Sequence, residues 1–138
     1  MSEINTEYLQ RCIETLQMSY DFIKNSTKGS IEYEVYRNSL VKAFEITLEQ
    51  SGKLLRKKIT PFFASKKDTD RLTFKDVFRF ANKYSLLTED EVQRWLKYRD
   101  NRNNTAHDYG QACAEETLSL IEKFLLDAKN LKQVIDND

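Results

Sequence analysis

The stretch LTFKDVFRFANKYSLLTEDEV, Leu72–Val92, carries two helix starts in close succession. Thr73 is a candidate N-cap, with Asp76 in the first turn and Leu72 placed to staple onto Val77. Thr88 repeats the device: Glu91 closes a capping box and Leu87 can staple onto Val92. Starts this close predict a short helix, about Phe74 to Tyr84. A further helix begins at about Glu89, carries Val92, Trp95 and Leu96 on one face, and runs towards Arg102.

On the N-terminal side, two longer apolar stripes recur at helical spacing. Leu9, Cys12, Ile13, Leu16, Tyr20 and Ile23 predict a helix over about Ile4 to Lys24. NSTKGS, with Gly29, interrupts the pattern. Leu40, Val41, Phe44, Leu48, Leu55 and Ile59 then predict a long helix from about Ile31 to Ile59. Pro61 ends it, because the residue before a proline is driven out of helical geometry. FFASKKDTDR reads as a polar loop. On the C-terminal side, Leu118, Ile121, Leu125 and Ala128 align in a last helix after Gly110. No repeat and no β-type alternation interrupts this series. The expectation is all-α: an antiparallel up-and-down bundle of four main helices plus a short one.

Composition agrees. The chain has 138 residues, suited to one domain over 1–138. It holds 3 Gly and 1 Pro, too few for a turn-rich β fold. Lys+Arg and Asp+Glu are each 22, so net charge argues for no particular partner. Charge is unevenly placed, however. KLLRKKITPFFASKK holds Lys53, Arg56, Lys57, Lys58, Lys66 and Lys67 without an acid. That flank can attract RNA or an acidic partner, or simply be the solvated end of a helix. Lys53, Arg56, Lys57, Lys58 and also Arg99 are the candidate RNA- or partner-binding residues. Cys12 and Cys113 form no metal-type pair and read as buried thiols of a reducing cytoplasm. No secretion signal and no apolar run long enough to span a bilayer is legible, so a cytoplasmic location without a membrane partner is expected. Most aromatic residues fall on helical faces and read as core or interface; Phe62 and Phe63, beside the basic run, are the exceptions able to meet a base.

RDNRNNTAHDYG, Arg99–Gly110, departs from the helical pattern and contains the only histidine. Arg102 offers a fork of donors matched to two phosphate oxygens. His107 can take and return a proton near neutrality. Asn103 can position a hydroxyl or donate to phosphate. Together they can support attack of a ribose 2′-hydroxyl on the adjacent phosphate, with no metal and no cofactor. On a straight helix Arg102 and His107 stand about 140° apart. Asn103 shares a face with His107, and Arg102 with Tyr109. Convergence needs a bend near Asn104–Thr105, where Asn-Asn-Thr forms helix poorly, or a second subunit. A two-fold dimer would also bring two His107 side chains to one cleft.

RNNTAHDY resembles the R-x4-H-x-Y signature of the HEPN superfamily. SLVKAFEITLEQSGKLL and LTFKDVFRFANKYSLLTEDEVQRWLKYRDNRNNTAHDY are similar to the second helix and the motif block of its nucleotidyltransferase substrate-binding branch. The resemblance implies a helical, dimeric protein paired with a minimal nucleotidyltransferase encoded nearby. In the toxin branch it implies a metal-independent endoribonuclease, with Arg102 and His107 catalytic and Asn103 in support. The partner would act as antitoxin by transferring AMP to Tyr109. The same resemblance also admits a non-catalytic subunit that presents substrate or nucleotide to the nucleotidyltransferase.

Overall fold

The computed structural model describes the backbone of residues 4–107 and 111–137, and the side chains of 4–102 and 117–137. Among the described residues six α-helices follow one another: α1 Glu7–Lys24, α2 Ile31–Ile59, α3 Lys66–Asp70, α4 Phe74–Lys83, α5 Glu89–His107 and α6 Gln111–Asp136. No strand occurs among those residues.

Local chemistry accounts for most boundaries. Ser30 caps α2 by accepting from the Tyr33 amide at 3.1 Å. Ahead of Pro61 the chain tightens into a 3-10 turn, Thr60–Phe62. The two capping boxes form as expected. Thr73 Oγ1 accepts from the Asp76 amide at 3.1 Å while the Thr73 amide donates to Asp76 at 3.3 Å. Thr88 and Glu91 exchange the same pair of bonds, at 3.2 and 3.0 Å.

One local expectation is corrected. FFASKKDTDR is not all loop, since it contains α3. Tertiary anchoring overrides its polar composition: Thr69 is fully buried, its Oγ1 lies 3.1 Å from Thr60 Oγ1, and its carbonyl accepts from Arg56 Nη1. Of the two routes to convergence, a bend near Asn104–Thr105 or a second subunit, the backbone offers no helix break for the first, since it stays helical to His107. Burial of Asn101 against Thr117 of α6, with Thr117 Oγ1 donating to Asn101 Oδ1 at 2.7 Å, holds α5 just before that poor helix-forming sequence.

The long helices run up, down, up, down. Thr6 at the start of α1 donates to Asp136 at the end of α6 at 2.6 Å. Lys58 at the end of α2 donates to the Ile135 carbonyl at 3.2 Å and to that of Asn137. α1 therefore opposes α6, and α2 runs with it. α5 opposes α6, because Arg94 pairs with Asp127 and Asn101 with Thr117. α4 lies against α2 and α5.

Every apolar residue assigned to the α2 stripe is buried, as are Leu9, Cys12, Ile13, Leu16 and Ile23 of α1. The core closes around Phe124 of α6, whose ring meets Phe44 of α2 at 4.8 Å and Trp95 and Tyr98 of α5 at 5.5 and 4.9 Å. Edge-on aromatic packing of this kind adds to apolar burial by about 0.5–1.5 kcal/mol per pair. It fixes three helices against one another and leaves the polar faces of α2 and α5 to meet at the seam described next.

Candidate functional site

Along the seam between α2 and α5, Arg102 Nη2 donates to Glu49 Oε1 at 2.7 Å. Arg102 is largely sheltered, its side chain 25% exposed, whereas that of Glu49 is 55% exposed. One turn earlier on α5, the Arg99 guanidinium carbon sits 5.0 Å from the Phe74 ring centroid. Phe74 in turn lies against Gly52, three positions beyond Glu49 on α2. As α5 advances from 99 to 102, its partners on α2 retreat from 52 to 49, the register of an antiparallel pair.

Glu45 stands one turn from Glu49 on α2 and is buried. Its Oε2 lies 3.8 Å from Lys42 Nζ, and its Oε1 has no hydrogen-bond partner among the described residues. Neither glutamate was legible as part of a site. The available signal was two acids four residues apart on an amphipathic helix, a pattern that a solvated helix edge also produces.

Asn103 and His107 lie on α5, but their side chains fall outside the described ones, and Tyr109 lies outside the described residues altogether. The same holds for the Cys113 side chain. What the backbone adds is that α5 is helical from Arg102 to His107. Positions 102 and 107 therefore stand about 140° apart around the helix axis. Cys12 is buried, and burial raises its thiol pKa despite the opposing hydrogen bond from Tyr8.

The basic flank divides. Arg56 is tied to the Thr69 carbonyl and Lys58 to the last carbonyls of α6, where a cation complements the helix dipole. Lys53 and Lys57 are exposed, and Lys66 pairs with Asp70 at 3.4 Å. Phe62 is half exposed and stacks on Tyr84 at 4.2 Å, while Phe63 turns inward to meet Phe80 edge-on at 5.0 Å. Phe78, Trp95 and Tyr98 are core. Among the described residues no group of three or more His, Cys, Asp or Glu is arranged to hold a metal. None of the helices, over the described residues, is long and apolar enough to cross a membrane.

An arginine held at a helix seam, inside an R-N-x3-H-x-Y frame, is suited to oxyanion recognition. The chain is 24% identical over 133 residues, 94% of its length and 90% of the relative's, to a Haemophilus influenzae protein named probable ribonuclease HepT. Its fold matches a solved H. influenzae structure, described as revealing the fold of a substrate-binding domain of a nucleotidyltransferase. That match has a TM-score of 0.81 and 23% identity, covering 96% of this chain and all of the other. A Thermus thermophilus structure matches with a TM-score of 0.75 and 20% identity, over 94% and 99% of the two chains. Residues 5–137 match the family described as nucleotidyltransferase substrate binding protein like, and the chain belongs to that family.

Proposed function

We propose that this protein is a metal-independent endoribonuclease of a toxin–antitoxin pair. Its antitoxin is a minimal nucleotidyltransferase that silences it by transferring AMP to Tyr109. The observation that carries the reading is Arg102, sheltered at the α2–α5 seam and oriented by Glu49, at the head of the R-N-x3-H-x-Y motif. In the reaction the ribose 2′-oxygen attacks phosphorus and the bond to the 5′-oxygen breaks. His107 draws off the 2′ proton and a proton is delivered to the leaving 5′-oxygen. Arg102 stabilises the charge on the phosphorane, and Asn103 orients the attacking group. The products are a 2′,3′-cyclic phosphate and a 5′-hydroxyl.

The helical backbone of α5 through 104 and 105 supports completion of the site by a second copy of the chain. It supplies two imidazoles to one cleft, one as base and one as acid. AMP on Tyr109, two residues from His107, would place a phosphate in the anion site of Arg102 and exclude RNA.

The second reading, a non-catalytic subunit that presents substrate to the nucleotidyltransferase, is favoured by the family description and by the nucleotidyltransferase association of the solved H. influenzae fold. Expression with and without the neighbouring nucleotidyltransferase separates the two. Wild type alone is expected to arrest growth and cleave RNA in the presence of a chelator. His107→Ala is expected to do neither, and Tyr109→Phe to escape neutralisation. Undiminished toxicity of His107→Ala removes the catalytic assignment, and a harmless wild type that leaves RNA intact establishes the binding role instead.

A further inference from the structure

α2 supports two arginines of α5, not one. A Cβ at Gly52 would lie 2.6 Å from Phe74 Cε2 and 2.7 Å from Cδ2. A mid-helix glycine is less favourable than alanine by about 1 kcal/mol, and here its bare backbone seats an aromatic ring. The other consequence of that seat is Arg99, whose guanidinium packs 5.0 Å from the ring centroid. No carboxylate pairs with Arg99 among the described residues. Its neighbour Asp100 is held by Lys75 at 2.7 Å. A ring face attracts a guanidinium without neutralising it, so the charge of a half-buried Arg99 remains available to an anion. Arg102 stands three residues on, along the same face of α5, with Glu49 as its support.

We infer that Arg99 and Arg102 form a two-guanidinium clamp on the RNA phosphodiester backbone, with Phe74 and Glu49 as positioning residues. Arg102 meets the scissile phosphate and Arg99 a flanking one. The assignment rests on the RNA-cleaving reading above and extends it to substrate grip.

The test is binding of a single-stranded oligoribonucleotide carrying 2′-O-methyl groups throughout, which cannot be cleaved, followed by fluorescence anisotropy across a salt series. Arg99→Gln is expected to weaken binding about tenfold. It is also expected to flatten the dependence of log K on log salt by about 0.7, the loss of one phosphate contact to a single strand. Phe74→Leu keeps apolar bulk but loses the ring face, and is expected to weaken binding without changing the slope. Glu49→Ala discriminates by sign: a mere competitor for Arg102 would give tighter binding when removed, whereas a positioning residue gives weaker binding. Circular dichroism melts establish that each variant is folded. Wild-type-like affinity and slope in Arg99→Gln, or no binding by wild type, overturns the clamp, and tighter binding by Glu49→Ala overturns the role given to Glu49. Binding that depends on both arginines, with unmodified RNA left uncleaved, would sink the ribonuclease reading and leave the clamp standing.

Discussion

Tyr98 donates its phenolic hydrogen to Asp127 at 2.5 Å, across the interface of α5 and α6. The same carboxylate receives both arms of Arg94, at 2.8 and 2.9 Å. Asp127 is almost wholly buried, and these bonds satisfy it from one side chain on each of two successive turns of α5. Burial, reinforced by the hydrogen bond to Asp127, pushes the Tyr98 phenol far above its ordinary pKa, so it remains a donor. Tyr98→Phe is expected to lower stability by about 1.5–3 kcal/mol, the loss of a hydrogen bond to a charged group. Asp127→Asn is expected to lose about 2–4 kcal/mol, because it leaves a partly buried guanidinium without its counter-ion. Urea unfolding checks both, and the double variant should fall short of the sum because the sites share one carboxylate.

Ser85 carries a prediction of opposite sign. Its φ of 62° places it in the left-handed region, the only non-glycine there among the described residues. It follows α4, where the Leu86 amide bonds the Ala81 carbonyl at 2.8 Å and the Ser85 amide bonds that of Asn82 at 2.9 Å. That pattern terminates helices in which glycine is the favoured residue. Ser85→Gly is expected to raise stability by about 0.5–1 kcal/mol, read as an increase in thermal midpoint.

At the start of α4 the prediction concerns acid. Hydrogen bonds from the Thr73 side chain and backbone hold the Asp76 carboxyl below its ordinary pKa. A depressed carboxyl stabilises the fold above its unfolded pKa, near 4. That contribution disappears as pH falls through the lower, folded value. Thr73→Ala should therefore be less stable than wild type at neutral pH, and the gap should narrow in acid below about pH 4. A gap that stays constant from pH 7 to pH 3 would show that the box acts without its charge.

On the ribonuclease reading, Arg102→Lys keeps a cation but loses the planar fork and the Nη2 contact to Glu49. Cleavage is expected to fall about 10²–10³-fold, with affinity for the 2′-O-methyl oligonucleotide reduced far less, since a lysine still binds phosphate as a point charge. Single-turnover kinetics against equilibrium binding separates the two effects. Equal losses in both would mean that Arg102 grips substrate without stabilising the transition state.

The fold was legible because its signals were redundant. Thr73 and Thr88 each sit at a helix start in the structure, and the apolar stripes independently locate the same helices. α3 was missed because its support comes from outside its own sequence, through Arg56 and Thr60 of α2 and the turn after it. The site was legible only along one strand of reasoning. Arg102 stands out as a fork beside a lone histidine, but Glu49 and the Gly52–Phe74 seat lie far upstream of the groups they serve, on other helices. Periodicity within one helix says which residues share a face and nothing about which other helix covers it. Local propensity likewise left open whether α5 continues past Asn104, since it contains no term for burial against α6.

Three fastenings along one edge of α5, at Arg94, Tyr98 and Asn101, all reach α6. A rod pinned at that many heights can neither roll about its axis nor slip lengthwise. The bearing of α5 over 94–101 is thereby dictated ahead of Arg102. A designer wishing to re-aim that guanidinium should leave its own vicinity alone and shift the bolts upstream.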